Sequence, residues 1–324
     1  MWPDGRWTMR SGRTTIKRNP GVIVVAITEK FRRYKRRRWR SIAVANNKVL
    51  AVTVENPEIG MFAHLNVTLR VLRYANENGL RPLIEFESPN YSDPRLSKGW
   101  FGYHFDLVDR PRPLSPLLGQ RIKTHRDLGL SRPDDLSLDE AGRLWRKYVA
   151  FKPEIETKVA SFCAQYDIGA GSLGVHYRGT DKGTEADRVS YDNALAAIRS
   201  EGSKNPGARI FVASDEQRFV DHIVAAFPPG QVCAYADSAR ATEQTPLHLG
   251  GREAGNFEMG QDALINCLIL SRCGTVVRTC SLLSSWASIF NPALDVVLLN
   301  ESFDNTSWYP ERLIARQARK PEAF

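Results

Sequence analysis

Short apolar segments alternate along most of the chain with longer segments whose apolar residues recur at helical spacing. Residues 49–54 (VLAVTV) are largely apolar, residues 81–86 (RPLIEF) carry apolar side chains between Arg81 and Glu85 and at Phe86, and each segment predicts a strand. Between them, the leucines at 65, 69 and 72 recur at i, i+4 and i+7, as on one face of a helix. These elements predict one βαβ unit.

The same alternation continues from residue 173 to residue 299. The predicted strands are 173–177, 209–213, 232–236, 275–278 and 296–299, and the predicted helices are 191–200, 217–227, 259–271 and 283–290. Strands that are apolar throughout are typical of a parallel sheet buried on both faces. We therefore predict an α/β protein with two Rossmann-type, doubly wound domains that face a cleft, where ligands bind at the carboxyl ends of the strands.

The chain has 324 residues, a length that predicts about two domains. We expect an N-terminal arm at residues 1–40, an α/β domain at 41–166 and a Rossmann-like domain at 167–324. Residues 90–150 are rich in proline, aromatic and charged residues and predict an irregular insertion with one helix at 138–148.

Positive charge is concentrated in the arm. Residues 1–40 hold 13 of the 45 Lys and Arg and 2 of the 36 Asp and Glu, so residues 41–324 hold 32 basic and 34 acidic side chains. Residues 32–40 (RRYKRRRWR) can contact an anionic membrane surface, and the alternative is a solvated extension. A nucleic-acid-binding protein acting through the arm is a further alternative, which the net negative remainder of the chain disfavours.

The five cysteines include no CxxC pair and no Cys/His cluster with zinc spacing, so we expect free thiols and no structural metal site. Buried free thiols are typical of a reducing compartment. The longest apolar run near the arm, residues 22–27, is far shorter than the roughly 18 residues that a membrane span needs. We therefore expect a cytoplasmic protein.

The strongest indication of chemistry in the sequence is a predicted strand that is followed directly by charged residues. The strand ending at Tyr177 is followed by Arg178, Asp181, Lys182 and Glu185. The planar fork of Arg178 suits a diphosphate, and Lys182 adds a second positive charge. The two carboxylates can orient these cations or accept protons. The segment predicts an anion site with carboxylates beside it, and the alternative is a surface loop of ion pairs.

A second strand end carries Ser214, Asp215 and Glu216, which directly follow the strand at 209–213. Their position predicts ligand contacts in the same cleft. Serine and aspartate are also common N-caps, so simple capping of the helix that begins here is the alternative.

A third strand end carries Thr279 and Ser281, which lie in a turn between the strand at 275–278 and the next helix. Backbone N–H groups at a helix start, together with two hydroxyls, suit phosphate binding. Capping of the helix by these hydroxyls is again the alternative.

Together these segments resemble the three motifs of the GDP-fucose-dependent fucosyltransferases, the family that includes core α1,6-fucosyltransferases and the rhizobial Nod-factor fucosyltransferase. The segments are HYRGTDKGTE from residue 176, ASDE from residue 213 and LSRCGTVVRTCS from residue 270. The resemblance covers most of residues 165–300. Residues 60–85, which begin at Gly60, are similar to the βαβ start of the same family.

The resemblance implies a GT-B-like fold in which the C-terminal domain binds the donor and the N-terminal domain lies on the acceptor side. It implies an inverting, metal-independent transferase that moves fucose from GDP-fucose to a hydroxyl of a glycan or lipid-linked oligosaccharide. No cofactor is implied, because GDP-fucose is a substrate. Nucleic acid is not an expected partner.

The resemblance also implies a role for each matching residue. His176 would lie near the nucleotide, and Arg178 would hold the diphosphate with phosphate contacts from Thr279 and Ser281. The transfer site would be lined by Asp181, Lys182 and Glu185. The ribose or base would be faced by Ser214, Asp215 and Glu216, and Gly60 would contribute from the first domain. We favour Glu185 as the base, because it lies further along the chain from the diphosphate anchor.

Two positions depart from the family pattern. Gly179 stands where the family usually has a second basic residue, and Asn266 stands where it commonly has the aspartate that binds guanine. An amide donates as well as accepts, so it cannot offer guanine two equivalent acceptor oxygens. A related transferase that uses another nucleotide sugar therefore remains an alternative.

Overall fold

A computed structural model describes residues 20–93, 95–96, 99–130, 136–179, 186–235, 255–303 and 308–321, with residues 20–28 described by their backbone alone. The helices are α1 Pro20–Ala45, α2 Met61–Glu77, α3 Phe101–His104, α4 Leu138–Tyr148, α5 Pro153–Tyr166, α6 Tyr191–Ser203, α7 Gln217–Ala225, α8 Asn256–Leu270, α9 Leu282–Phe290 and α10 Glu311–Gln317. The strands are β1 Val49–Val54, β2 Arg81–Phe86, β3 Phe105–Leu107, β4 Gln120–Ile122, β5 Val149–Phe151, β6 Leu173–Tyr177, β7 Ile210–Ser214, β8 Val232–Cys233, β9 Thr275–Arg278 and β10 Asp295–Leu298. The predicted α/β class is confirmed.

The predicted βαβ unit is formed by β1, α2 and β2. The two strands pair in parallel from Val49 with Arg81 to Val54 with Phe86, which are the predicted bounds. The apolar face of α2 is buried, as the spacing of its leucines requires. The helix ends before Gly79, whose φ of +62° is the left-handed conformation that stops a helix at low cost for glycine.

The region 90–150 is not wholly irregular, because it supplies a strand to the first sheet. β4 pairs in parallel with β1 on the side opposite β2, so the sheet order is β2-β1-β4. β3 and β5 form a short antiparallel pair. The predicted helix at 138–148 is confirmed as α4, which begins with a capping box between Ser137 and Glu140. A strand of three residues is too short to show an alternation of apolar and polar side chains, so such a strand is recognised only by the strand with which it pairs.

The second sheet has five parallel strands in the order β10-β9-β6-β7-β8. All five were predicted, and β6 and β9 have the predicted bounds. β7 and β10 are each displaced by one residue from the prediction. β8 pairs with β7 only at Val232 and Cys233, so it is shorter than the predicted 232–236. Asp167, at the predicted start of the Rossmann-like domain, ends α5 in the left-handed conformation.

The part of the arm from residue 20 onward is helical, because α1 begins there and continues past the boundary predicted at residue 40. The Tyr74 hydroxyl of α2 donates a 2.6 Å hydrogen bond to the Arg36 carbonyl, Trp39 packs against the core and Ala43 is buried. A solvated extension is therefore wrong for this part of the arm, because helical spacing brings one face of it against the domain. No helix in the described ranges combines the length and the apolar character of a membrane span.

Helix α9 joins the two halves of the molecule. The indole Nε1 of Trp286 donates a 2.9 Å hydrogen bond to the Asn66 side chain of α2, and its ring meets that of Trp145 of α4 edge-on at 5.1 Å. Asn66 in turn donates to the carbonyl of Tyr309 at 2.6 Å. One apolar core runs through both halves, so their relative position is set by packing.

The five cysteines are free thiols, as predicted. Cys233, Cys267, Cys273 and Cys280 are buried, and Cys163 is partly exposed. Burial raises the pKa of Cys233 to about 11. Burial also raises the pKa of Cys163, Cys267 and Cys273. These four thiols therefore stay protonated and act as small apolar side chains.

Two histidines are buried in the apolar core beside Trp100. The His64 ring contacts both Phe86 and Trp100, with centroids 5.4 Å from each, and His104 stacks on Phe257 at 5.3 Å. Burial lowers the pKa of each histidine from 6.5 to about 4. Both rings are therefore neutral at physiological pH.

We predict that acid destabilises the protein through these histidines. Between pH 6.5 and 4 the unfolded chain binds a proton at each position and the native protein does not, so the free energy of unfolding falls by up to about 3 kcal/mol per histidine. Urea unfolding from pH 7 to pH 4 measures this loss. His104→Phe should remove about half of it, and an unchanged pH dependence in that variant would contradict the prediction.

Candidate active site

The strand order predicts a crevice at the carboxyl edge of the second sheet. β7 and β8 lie on one side of β6, whereas β9 and β10 lie on the other. The chain therefore leaves β6 towards one side of the sheet and enters β9 on the other side. Such a topological switch point, here between β6 and β9, leaves a crevice outside the carboxyl ends of the two strands. Arg178 follows β6 and Thr279 follows β9, so these two residues flank the crevice.

Arg178 is held from both neighbouring strands. Its backbone N–H donates a 2.9 Å hydrogen bond to the Thr279 hydroxyl, and its guanidinium Nε lies 3.7 Å from Asp215 Oδ2. The N–H of Gly179 donates to the other oxygen of Asp215 at 3.3 Å. The Arg178 side chain is 25% exposed. A cation is thus fixed at the switch point, within reach of a ligand that enters the crevice.

A side chain at position 179 would meet the carboxylate of Glu216. A Cβ at this position would lie 2.6 Å from the carboxyl carbon of Glu216. Glu216 is 8% exposed, and its carboxylate accepts a 2.6 Å hydrogen bond from the Tyr191 hydroxyl and lies 3.7 Å from Arg188. Burial raises the pKa of Tyr191, so that hydroxyl stays protonated and donates. The carboxylate of Glu216 therefore occupies the space beside position 179.

The turn after β9 presents the start of α9 to the crevice. Ser281 is the N-cap residue, but its side chain makes no capping hydrogen bond. The Thr279 hydroxyl accepts from Arg178 rather than from α9. The capping alternative is therefore not observed for either hydroxyl. Nor does Asp215 cap α7, since its Oδ1 accepts from Gly179 and the N-cap residue is Glu216.

The first half meets this crevice with the start of α2. Gly60 is the N-cap residue of α2, and the Met61 N–H donates a 2.9 Å hydrogen bond to the Tyr91 hydroxyl. Burial raises the pKa of Tyr91, and the positive charge of Arg178 partly offsets that effect. A Cβ on Gly260 of α8 would lie 3.4 Å from the Tyr91 ring. The start of α2, which follows the carboxyl end of β1, therefore lies close to α8 and near Arg178.

His176 of β6 and Asn266 of α8 lie on the same side of the second sheet. Gly174 packs on Leu270 of α8, and His176, two residues further along β6, shares that face because strand side chains alternate. Asn266 lies one turn before Leu270, and its Nδ2 donates to the Asp262 carbonyl at 2.8 Å. His176 and Asn266 are buried. The Ser214 hydroxyl accepts from the Glu216 N–H at 3.1 Å.

Asp181, Lys182 and Glu185 lie outside the described residues, so their roles stay predictions. Within the described ranges, no group of three or more His, Cys, Asp or Glu side chains is arranged to hold a metal ion.

Sequence reasoning missed three residues that support this site, which are Tyr91, Arg278 and Glu311. Arg278 ends β9 with 0% exposure and pairs with Glu311 of α10. An arginine in an apolar strand was a usable signal, since a charge is almost never buried without a partner. The partner itself, 33 residues later, carries no comparable signal.

The sequence and the structure were compared with those of known proteins. No family model matches the chain, and no curated protein matches it in sequence. The structure of NodZ α1,6-fucosyltransferase soaked with GDP-fucose matches with a TM-score of 0.51 at 18% identity, over 79% of this chain and 98% of that one. The selenomethionine form of fucosyltransferase NodZ from Bradyrhizobium matches with a TM-score of 0.51 at 18% identity, over 78% and 94%.

The chain has the fold of the GDP-fucose fucosyltransferases. A third structure, NodZ α1,6-fucosyltransferase co-crystallized with GDP, matches with a TM-score of 0.50 at 18% identity over 80% of this chain and 98% of that one. The GT-B-like fold that the motif resemblance implied is thus confirmed.

We predict that Gly179→Ala disrupts the contacts of Glu216. The added Cβ displaces the carboxylate and breaks its hydrogen bond with Tyr191, which should lower the free energy of unfolding by about 1–3 kcal/mol. Urea denaturation measures the change. Gly202→Ala is a matched control, because no atom lies within 4 Å of its Cβ position, and the double variant Gly179→Ala/Glu216→Ala should recover part of the loss. Equal stability of the Gly179 and Gly202 variants would refute the prediction.

Proposed function

We propose that the protein is a glycosyltransferase that moves fucose from GDP-fucose to a hydroxyl of a glycan or a lipid-linked oligosaccharide. The observation that carries this proposal is the position of Arg178 at the switch point, held between Thr279 and Asp215. The fold likeness and the three motif segments support it. In this proposal residues 167–324 bind the donor and residues 41–166 face the acceptor.

The proposed reaction is a single inverting displacement without a metal ion. The acceptor oxygen forms a bond to C1 of fucose as the bond from C1 to the β-phosphate oxygen breaks, so GDP leaves with the bonding electrons. Arg178 and Lys182 neutralise the charge that develops on the diphosphate. Glu185 takes the proton of the acceptor hydroxyl, with Asp181 as the other carboxylate of the segment.

The other predicted residues bind the donor in this proposal. His176 and Asn266 face the base, Ser214, Asp215 and Glu216 lie on the ribose side, Thr279 and Ser281 contact phosphate, and Gly60 approaches from the first half. The burial of His176 and Asn266 on one face of the sheet supports a base at that position. A nucleotide sugar with another base is the second candidate, because Asn266 offers one acceptor oxygen where two would suit guanine.

Titration of the purified protein with GDP, UDP, ADP and dTDP by calorimetry tests the donor class. We expect binding of GDP in excess EDTA. Preference for another diphosphate would select the second candidate, and binding of none of the four would overturn the proposal.

Three variants then separate donor binding from chemistry. Arg178→Lys should lose GDP affinity and transfer rate almost as severely as Arg178→Ala, because a lysine point charge cannot form two parallel N–H bonds, and the rate should fall by about 100-fold or more. Glu185→Gln should bind GDP normally and lose transfer. A fully active Arg178→Ala enzyme would refute the site, whereas a transferase that needs manganese would refute the metal-independent mechanism.

We further propose that α1 contacts an anionic membrane surface and that the protein works in the cytoplasm. Arg33 and Arg37 are exposed on the face of α1 that points away from Trp39, and Tyr34 beside them is 62% exposed. Arg38 is also exposed, and its guanidinium lies over the Trp39 ring, 5.6 Å from the centroid. Basic side chains interleaved with an exposed aromatic ring suit anionic headgroups.

Sedimentation with vesicles tests this contact. Replacing Arg33, Arg37 and Arg38 by Glu should weaken binding to vesicles of phosphatidylcholine and phosphatidylglycerol by about 100-fold, since each basic residue contributes roughly 1 kcal/mol. The matched control replaces Arg199, Arg218 and Arg316, which are exposed elsewhere, by Glu. Equal losses in both variants, or tighter binding to duplex DNA than to these vesicles, would contradict the proposal.

A further inference from the structure

Arg278 and Glu311 form a buried ion pair behind the turn that carries Thr279 and Ser281. They are 0% and 4% exposed, and Nη2 of Arg278 lies 3.1 and 3.0 Å from the two carboxylate oxygens. The Ser285 hydroxyl also donates to this carboxylate. Removing two charges from water is costly, and an apolar pair of similar volume often stabilises a fold as well or better. Stability alone is therefore a poor explanation for the pair.

The second terminal nitrogen of Arg278 is directed at the turn itself. Nη1 donates to the carbonyl of Thr279 at 3.3 Å, to the carbonyl of Ser281 at 3.5 Å and to the Ser284 hydroxyl at 3.2 Å. Two carbonyls of one short turn thus point back at a single guanidinium. With these peptide groups fixed, the backbone sets the directions of the Cα–Cβ bonds of Thr279 and Ser281 and so the positions from which their hydroxyls extend.

Two backbone hydrogen bonds complete the support of the turn. The Thr279 N–H donates to the His176 carbonyl at 3.0 Å, and the Cys280 N–H donates to the Asn300 side chain at 2.8 Å. Arg278 therefore binds the carbonyl groups of the turn, whereas residues that follow or end the neighbouring strands bind its N–H groups. The turn is therefore preorganised, which is what an anion site requires when its donors must not rearrange on binding.

We infer that Arg278 and Glu311 are positioning residues for phosphate binding. They act through Thr279 and Ser281: Glu311 orients the guanidinium, and the guanidinium fixes the turn. This inference rests on the proposed function, because it takes the ligand of the turn to be the phosphate of a nucleotide. Lysine cannot replace Arg278, since one ammonium on a flexible stem cannot bind the carboxylate and two carbonyls in fixed directions.

The test compares two variants at this pair with a control. Arg278→Met/Glu311→Met exchanges the pair for apolar side chains, and Arg278→Lys keeps the charge. Arg319→Met is the control, since Arg319 bonds to Asp295 and Glu201 at the opposite edge of the same sheet. Calorimetry measures the affinity of each protein for the diphosphate that the wild type binds, among GDP, UDP, ADP and dTDP, and for the corresponding nucleoside, which lacks phosphate.

We expect both pair variants to bind the diphosphate about tenfold or more weakly than the wild type and the nucleoside equally well, because only phosphate contacts are lost. Arg278→Lys decides the matter if the double variant does not fold. Unchanged diphosphate affinity, a parallel loss of nucleoside affinity, or the same loss in Arg319→Met would each overturn the positioning role and leave the proposed function intact. A wild type that binds none of the four diphosphates would overturn the proposed function and this inference with it.

Discussion

Helix α9 is the element on which both the crevice and the joining of the two halves depend. Its first residues follow the turn at the crevice, and its middle inserts Trp286 against Asn66 and Trp145 of the first half. A helix buried all round must satisfy its polar side chains internally. Ser284 and Ser285 do so through Arg278, Glu311 and the Ser281 carbonyl. The same packing that fixes the two halves therefore also fixes the turn.

The electrostatics of the crevice follow from the residues after β7. Asp215 supports Arg178, and the carboxylate of Glu216 fills the space beside Gly179. A second basic side chain at position 179 would have to displace that carboxylate from Tyr191. Gly179 therefore leaves the space that the buried, hydrogen-bonded carboxylate of Glu216 occupies. Arg178 is the cation that follows β6 at the switch point, and Arg188 lies 3.7 Å from the Glu216 carboxylate beside it.

Much of the fold was predictable because its longer elements have clear periods. The bounds of β1, β2, β6, β9 and α4 agree with the prediction, and the strand ends that carry Arg178, Asp215 and Thr279 were identified as one edge of a sheet. β4 was missed because three residues cannot show alternation. The helical course of α1 through residue 40 was missed because a run of arginines reads as solvated until a partner such as Tyr74 is known.

The sequence by itself determined the α/β class, the existence of both sheets and the polar residues that follow three strands, because these properties depend on neighbours in the chain. Only the tertiary structure decided the strand order that makes β6 and β9 adjacent, the contact of Arg178 with Thr279, and the pairing of Arg278 with Glu311. These contacts join residues far apart in the chain. Their formation depends on the packing of complete elements, which no local pattern of side chains encodes.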